Sequence, residues 1–519
     1  MVRTRGPFFY TDFNLPALLH LAQQIRNVYI PCLCDLSKQP LCGGLNWAIT
    51  ITFVDDVEWM FRSPLMNEFI SNETVLELLD SEVATMRYVK LNSSIPVPDI
   101  FDYSSTTSNA IGIPYILMSK APGIALSKFT WNIRTNPQPN RASHRKQPPS
   151  NLQREHKEKI MTQLGALRAQ LSKMTFPKIC SLYTEDKNKS SSYHIGKCLS
   201  PSLTWYMRDS LDEIPRGPFS CTQDFHNSEL SALLGHVQEL PLSPHVFFAP
   251  LPKAAEFDTW AEYVSAVDMW NDYVTVNGKI DHNNNRLDYC IAEHYLRLLI
   301  PSIDIPVSES CVPPDLAHEY QYPLHHPDLS ASNIFVDEEF NISCVIDWGF
   351  ASTVPIATLL ATPSLPHPRD DIDDSLVPFF RSGFDSIFNH KVEEKSWIHA
   401  QRSWYFSRLV NLDELQDFHY FSKLYTSVYS NKPKDLIDIP TLFRDTRGKE
   451  EFRDLAKTLV MDDRPVDKVA RDERDYFPAL RLTGREAVAR KLTLMSEFNK
   501  GFVADKRLWS WLGEALVDF

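Results

Sequence analysis

The sequence predicts an α+β protein in which a small, mainly antiparallel β region is followed by a larger, mainly helical region. Two alternating segments, 48–53 and 57–62, flank the turn residues Asp55 and Asp56 and predict a β-hairpin. Helices are predicted where apolar residues recur every three or four positions, over 74–91, 160–174 and much of 375–519. Strands therefore concentrate in the first 120 residues, and most helices follow them.

Length and composition describe a globular chain that is large enough for two lobes. The chain has 519 residues, of which 43% are hydrophobic and 23% are charged, and these proportions are ordinary for a globular protein. A net charge of −13 argues against a nucleic-acid partner. No apolar run approaches the roughly 18 residues of a membrane span. Nine scattered cysteines do not resemble a disulfide framework, so we expect a reducing compartment.

The most informative stretch is residues 322–350, which read YPLHHPDLSASNIFVDEEFNISCVIDWGF. Asn333 follows Asp328 by five residues, and apolar runs on both sides of the acidic turn 337–339 predict two short strands. A hairpin of this kind brings Asn333 and Asp347 side by side at one end.

These residue types suit phosphoryl transfer from a nucleotide. The substrate hydroxyl needs a carboxylate that orients it and accepts its proton, and Asp328 fits that role. The triphosphate needs a divalent metal held by oxygen ligands, which the Asn333 amide and the Asp347 carboxylate would supply. Mg²⁺ keeps several of its waters, so two protein ligands suffice. An exposed acidic loop beside an ordinary hairpin is the alternative interpretation.

The pattern H-x-D-x-x-x-x-N, followed by a hydrophobic strand and I-D-W, resembles the aminoglycoside-phosphotransferase and choline-kinase branch of the protein-kinase-like fold. The segment 347–349, D-W-G, stands where protein kinases carry D-F-G, and HHPDLSASNIFVD resembles the large fungal group in that branch. The resemblance implies a two-lobed α+β fold, with an N-terminal lobe over 1–120 and a helical C-terminal lobe over 121–519. In this fold, His326 would brace the catalytic loop by hydrogen bonding.

The resemblance also implies a phosphate-binding set in the N-terminal lobe. Gly43 and Gly44 precede a strand, where a glycine loop would cover the phosphates; an ordinary turn is the alternative. Arg62 ends the second strand of the hairpin, where kinases carry a lysine and choline-kinase-like relatives carry arginine. A surface arginine at a strand end is the alternative there. Glu82 would pair with Arg62, and Glu77 is the second candidate.

Two further segments are assigned from pattern and order. Backbone groups of Ser119 and Ala121, after the strand expected at 114–118, would bind adenine at the hinge between the lobes. Residues 131–151 are proline-rich, polar and basic, which predicts a disordered insertion.

Taken together, these residues predict an ATP- and Mg²⁺-dependent phosphotransferase that acts on a hydroxyl group of a small molecule. A pseudokinase that binds or scaffolds other molecules is the alternative: Arg62 and the short glycine loop favour it, whereas Asp328, Asn333 and Asp347 oppose it. A protein kinase proper is disfavoured because no A-P-E segment follows Asp347. The fold does not specify the acceptor, and the sequence does not indicate an oligomeric state.

The N-terminal residues MVRTRGPFFYTDF lack the long apolar core of a secretion signal and the serine content of a transit peptide. We therefore expect a cytoplasmic protein. The mitochondrion is the alternative, because one fungal group of this type has been tied to that organelle.

Overall fold

The computed structural model describes residues 12–131, 151–185, 193–242, 246, 248, 282–305 and 321–459, except for 36, 67–68, 369, 389–390, 413–416 and 430–438. The predicted insertion at 131–151 lies outside these residues apart from its two ends. Within the described ranges, no helix combines the length and the apolar character that crossing a lipid bilayer requires. The cysteines of these ranges are free thiols.

An antiparallel sheet with one helix on each face forms the N-terminal lobe. Its strands are β1 (Cys32–Leu33), β2 (Leu41–Cys42), β3 (Asn46–Phe53), β4 (Glu58–Pro64), β5 (Ile100–Ser104) and β6 (Tyr115–Ser119). Its helices are α1 (Leu15–Arg26) and α2 (Asn72–Asn92). The strand order is β1-β3-β4-β6-β5, and β2 pairs with the same strand as β1, which is β3. The predicted hairpin over 48–53 and 57–62 is confirmed as β3 and β4.

Side chains alternate between the two faces of the sheet along β3 and β4, and this alternation decides which residues face α2. Buried and partly exposed residues alternate strictly along β3, and β4 places Met60 on the face that packs against α2. Arg62 follows Met60 by two residues and therefore lies on the same face. In the ladder it pairs with Ile116 on β6.

Helix α2 confirms the helix predicted over 74–91. The Ser71 hydroxyl caps its N-terminus by accepting a hydrogen bond from the Thr74 N–H at 3.3 Å. Its apolar face packs against the inner face of the sheet through residues such as Val83 and Met86. Glu82 is buried on the same helix.

The C-terminal lobe is mainly helical and contains short antiparallel strand pairs. Its helices are α3 (Arg154–Leu171), α4 (Pro201–Thr204), α5 (Thr222–Glu239), α6 (His282–Leu299), α7 (Ile356–Leu360), α8 (Val377–Asp385), α9 (Glu394–Asn411), α10 (Asp417–Tyr429), α11 (Ile439–Arg447) and α12 (Glu450–Thr458). Its strands are β7 (Ile124–Ala125), β8 (Thr175–Phe176), β9 (Ser181–Thr184), β10 (Tyr193–Gly196), β11 (Tyr322–His325), β12 (Ile334–Val336), β13 (Ile342–Val345) and β14 (Ser352–Thr353).

One hydrophobic core joins the two lobes. It runs from Val83 on α2 and Ile116 on β6 to Leu164 on α3 and Val345 on β13. A second hydrophobic cluster lies between α1 and the outer face of the sheet. A third packs α5 and α6 against the helices α9 to α12. The α+β class, with a small antiparallel lobe and a larger helical lobe, is confirmed; the exact boundary at residue 120 stays a prediction.

Candidate active site

The central stretch folds into the predicted loop and hairpin. Strands β12 and β13 pair with Ile334 opposite Val345, and the Ile346 N–H donates to the Asn333 carbonyl at 3.0 Å. At the far end, the Asp337 carboxylate accepts from the Glu339 and Asn341 N–H groups and closes the acidic turn. The pairing therefore brings the residues flanking the hairpin, Asn333 and Asp347, to the same end.

Asn333 connects the hairpin to the loop that carries Asp328. Its side-chain amide N–H groups donate to the Asp328 carbonyl at 3.0 Å and to the Asp328 carboxylate at 2.9 Å. The Asn333 side chain thereby fixes the direction of the Asp328 carboxylate. Because its NH₂ group is used in this way, its amide oxygen is the atom that could bind a metal ion.

Asp347 has a left-handed backbone conformation, with φ of 64°. Aspartate is one of the few residues other than glycine that adopt this conformation readily. The next residue, Trp348, donates its backbone N–H to Glu82 at 3.1 Å and its indole N–H to Val345 at 3.1 Å. The Asp347 side chain is 37% exposed, so it is anchored through its neighbours and still accessible to a ligand.

Arg62 forms a buried ion pair with Glu82 and lies 3.5 Å from Asp347. Glu77, the other candidate, instead pairs with Lys197 at 2.6 Å. Burial acts against the guanidinium charge, but Glu82 and Asp347 outweigh it and raise the pKa of Arg62. Burial raises the pKa of Glu82, and Arg62 opposes that shift. Arg62 therefore remains a cation between two carboxylates, and is not the surface arginine of the alternative interpretation.

The two predicted glycines form the turn between β2 and β3. The Gly43 N–H donates to the Asn46 carbonyl at 2.9 Å, which closes the turn. Gly44 lines the cavity that also contains Asp328, and a Cβ at this position would meet no atom within 4 Å. A ligand can therefore approach the Gly44 backbone closely.

Of the two hinge candidates, Ser119 has a backbone amide that is already hydrogen-bonded. The Ser119 N–H donates to the Asp99 carbonyl at 2.9 Å, and its hydroxyl accepts from the Asp99 N–H at 2.8 Å. Ala121 lies just beyond β6 and is partly buried. Neither residue lines the two cavities that contain Asp328 and Arg62, and the adenine-binding role of both stays a prediction.

His326 braces the loop that carries Asp328 by hydrogen bonding, as the resemblance implies. Its Nε2–H donates to the Ile346 carbonyl at 3.1 Å, and its Nδ1 accepts from the Asp328 N–H at 3.2 Å. The ring is fully buried, and its edge meets Trp348 with 4.6 Å between ring centroids. Burial lowers the pKa of His326 to about 3, while the bond to Ile346 opposes the shift.

This neutral histidine predicts a loss of stability in acid. In the unfolded chain its pKa is about 6.5, so the proton prefers the unfolded state, and stability falls as pH drops below about 6.5. Between pH 7.5 and 5.0 we expect His326 to contribute a loss of roughly 2 kcal/mol. Urea denaturation at both pH values should show that His326→Gln flattens the pH dependence by about that amount. The same change at exposed His20 should leave it unaltered, and a full pH dependence in His326→Gln would contradict the assignment.

Two cavities meet at Leu45, Asp347 and Phe350, which line both of them. The larger has a volume of about 410 Å³ and contains Asp328 and Gly44. The smaller, about 30 Å³, lies between β4 and α2 and contains Arg62 and Glu82. Asp347 therefore lines both the cavity of the predicted proton acceptor, Asp328, and the cavity of the predicted phosphate contact Arg62.

Sequence reasoning missed several polar groups of the larger cavity. Arg168 on α3, and His226 and Glu229 on α5, are buried and line it. Arg168 follows Leu164 by four residues and precedes Leu171 by three, so it falls within the apolar stripe of the predicted helix. A charged residue in an apolar stripe was the signal that could have identified it.

The donor atoms present at the end of the hairpin suit Mg²⁺. An amide oxygen from Asn333 and an accessible carboxylate from Asp347 are hard oxygen ligands, which this ion prefers. The set contains no thiolate or imidazole, the ligands typical of zinc.

No protein-family model matches the chain. A subtelomeric hrmA-associated cluster protein of Aspergillus fumigatus is 25% identical over 429 residues, which cover 80% of this chain and 73% of that protein. The altered inheritance of mitochondria protein 9 of Candida glabrata is 20% identical over 299 residues, which cover 56% of this chain and 45% of that protein.

Two solved structures are similar to the chain at low sequence identity. One is macrolide 2′-phosphotransferase from Brachybacterium faecium, with 13% identity, coverage of 87% of this chain and 99% of the other, and a TM-score of 0.36. The other is Plasmodium vivax ethanolamine kinase, with 13% identity, coverage of 85% and 88%, and a TM-score of 0.37.

The structure itself shows the features on which the fold assignment depends. They are the order of the two lobes, the buried Arg62–Glu82 pair and the loop that joins Asp328 to Asn333. The hairpin that ends on Asp347-Trp348-Gly349 completes this set. By these features the chain has a two-lobed fold like that of the aminoglycoside phosphotransferases and choline kinases.

Proposed function

We propose that the protein transfers the γ-phosphoryl group of ATP to a hydroxyl group of a small molecule. The observation that carries the proposal is the placement of Asp328 and Asp347 on one cavity of about 410 Å³, with the Arg62–Glu82 pair directly beside Asp347. This volume falls within the range of roughly 300–1,000 Å³ that is usual for small-molecule sites.

Each residue has a distinct role in this reaction. Asp328 orients the acceptor hydroxyl and takes its proton as the oxygen attacks the γ-phosphorus and the bond to ADP breaks. Asn333 holds the Asp328 carboxylate in place, and its amide oxygen, together with Asp347, would hold Mg²⁺. When bound, the metal neutralises charge on the β- and γ-phosphates. Arg62, directed by Glu82, adds a second positive charge on the nucleotide side.

Positioning and charge neutralisation would supply most of the rate acceleration, because phosphoryl transfer needs little covalent chemistry from the protein. Gly44 would let the backbone approach the phosphates, and Ala121 would present the hinge to adenine. We propose the cytoplasm as the compartment; the relatives named for mitochondria leave the mitochondrion as the alternative.

A pseudokinase is the second candidate, and one observation favours it. The Arg62 guanidinium is already engaged by Glu82 and lies 3.5 Å from Asp347, and the cavity beside this pair measures only about 30 Å³. Nucleotide binding would therefore have to widen that side of the cleft. The two candidates differ in Mg²⁺-dependent ATP binding with turnover, because the kinase transfers the phosphoryl group and the pseudokinase does not.

Thermal unfolding with ATP tests the proposal. At about one hundred times its Kd, Mg·ATP should stabilise the fold by roughly 2.7 kcal/mol and raise Tm accordingly. We expect this shift to require Mg²⁺ and to disappear in Asp347→Asn. Asparagine also tolerates the left-handed conformation at this position, so the variant should fold normally.

Glu338→Gln is the matched control, because Glu338 is an exposed acidic residue in the turn of the same hairpin. It should keep the full Mg·ATP shift. Absence of any shift in the folded wild-type protein at millimolar Mg·ATP would reject the kinase and favour the pseudokinase.

A further inference from the structure

A buried arginine on α3 carries a charge that the protein does not neutralise. Arg168 is 4% exposed, and its Nε and Nη1 atoms are buried without a hydrogen-bond partner. Within the described residues, no carboxylate forms an ion pair with it. The side chain lines the larger cavity. Burial alone lowers the pKa of Arg168 to about 9, as is typical of an uncompensated charge.

The carboxylates that share this cavity are already engaged. Glu229 accepts from Ser202 at 2.8 Å and contacts His226 at 2.8 Å. Asp328 accepts from Asn333, and Asp347 lies beside Arg62. None of these carboxylates pairs with Arg168, so within the described residues its guanidinium faces the cavity without a counter-ion.

Hydrogen-bond acceptors without partners line the same cavity. They are His226 Nε2, Ser364 Oγ and Asn411 Oδ1. His226 Nδ1 faces the Glu229 carboxylate, which favours the proton on Nδ1 and leaves Nε2 as an acceptor. Acceptors of this kind are satisfied by hydroxyl groups of a ligand, whereas a buried guanidinium is satisfied by an anion.

Arg168 lines the cavity that contains the proposed proton acceptor, Asp328. Arg62 and Glu82 line the smaller cavity, which Arg168 does not reach, and Asp328 lines the larger one together with Arg168. A nucleotide phosphate bound near Arg62 would therefore leave the charge of Arg168 for the other substrate.

We propose that the larger cavity binds a small polyhydroxylated anion, whose carboxylate or phosphate group pairs with Arg168 and whose hydroxyl groups meet His226, Ser364 and Asn411. The inference deepens the proposed function, on which it rests, by naming the class of the phosphoryl acceptor. Sugar acids and sugar phosphates have this chemistry.

Calorimetric titration in the absence of ATP tests the inference with three probes: gluconate, glucose 6-phosphate and sorbitol, the neutral polyol of similar size. We expect at least one anionic probe to bind wild type at least about tenfold more tightly than sorbitol does, the effect expected from one charged hydrogen-bonding contact. Binding of gluconate alone assigns a carboxylate, and binding of glucose 6-phosphate alone assigns a phosphate. Failure of both anions to bind, or equal binding of sorbitol, would overturn the inference.

Variants identify the residue responsible. Arg168→Met should weaken the anionic probe at least about tenfold, and Arg168→Lys should restore part of the affinity because it keeps the charge. Arg154→Met is the matched control: it makes the same change on the same helix, at an exposed residue paired with Glu158 at 2.7 Å. Unchanged anion affinity in Arg168→Met would reject the site.

Two further readouts complete the test. The Tm of Arg168→Met without ligand distinguishes a ligand-binding arginine from a structural one, and a comparison of anion binding with the Mg·ATP shift distinguishes the anion site from the nucleotide site. Because Arg168→Met removes an unpaired buried charge, its Tm without ligand should equal or exceed that of wild type, whereas a purely structural arginine would give a lower Tm. Arg168-dependent anion binding without any Mg·ATP shift would reject the kinase and keep the anion site. A Mg·ATP shift without anion binding would reject the anion site and leave the proposed kinase function in place.

Discussion

Replacing Glu82 by Gln will lower the free energy of unfolding by about 3–5 kcal/mol, the usual cost of removing one partner from a buried ion pair. The change leaves the shape and the contact with the Trp348 N–H in place but removes the charge that faces the Arg62 guanidinium. Asp347, at 3.5 Å, is then the remaining counter-charge nearby, and its side chain is more exposed. Denaturant unfolding near pH 7 measures the loss.

The matched control lies on the same helix. Glu77→Gln removes a partly exposed pair with Lys197, for which a cost of about 0–1 kcal/mol is usual. The combined change Arg62→Met and Glu82→Leu removes both charges, so it should cost less than Glu82→Gln alone. Equal losses in Glu82→Gln and Glu77→Gln would contradict the expected cost of leaving the Arg62 charge buried without its partner.

Replacing Asp328 by Asn will lower kcat by about 10²–10⁴, the usual contribution of a positioned proton acceptor. The amide oxygen of the new residue can still accept from Asn333, so the loop should keep its conformation. Mg·ATP stabilisation should remain at the wild-type level, because neither proposed metal ligand changes. Initial rates of ADP formation with the acceptor returned by a metabolite screen measure the effect.

Ser332→Ala provides the control within the same loop, because Ser332 is exposed. It should retain wild-type kcat and wild-type Mg·ATP binding. A kcat for Asp328→Asn within a factor of about two of wild type would exclude Asp328 as the proton acceptor. Loss of Mg·ATP stabilisation in this variant would instead indicate that the substitution disturbs the metal ligands.

Local sequence pattern determined the elements that carry the site. Strict alternation in β3, apolar spacing in α2 and the two short runs around the acidic turn 337–339 each depend on a few neighbouring residues. Such patterns act through backbone geometry, with a period of two in strands and 3.6 in helices. They also placed Asn333 and Asp347 at one end of the hairpin, because antiparallel pairing leaves little freedom there.

Only the tertiary structure decided which charges meet. The sequence left Glu77 and Glu82 as alternative partners of Arg62, and the fold pairs Arg62 with Glu82, 20 residues away, and brings it to Asp347, 285 residues away. Likewise, the backbone amide of Ser119 is engaged by Asp99, although its position suits a hinge. Pairings of this length depend on how the lobes pack, and the local pattern does not contain that information.

The cavity shows the same division. The sequence indicated Asp328 because a motif surrounds it, whereas Arg168, His226 and Ser364 have no motif and come from three separate segments. Their common property, buried polar atoms without partners, exists only once the chain has folded. The sequence by itself therefore determined the fold class and the candidate phosphoryl-transfer residues. The packing of α3 and α5 around the loop that carries Asp328 decided which charged and hydrogen-bonding groups line the larger cavity, because those groups come from distant segments.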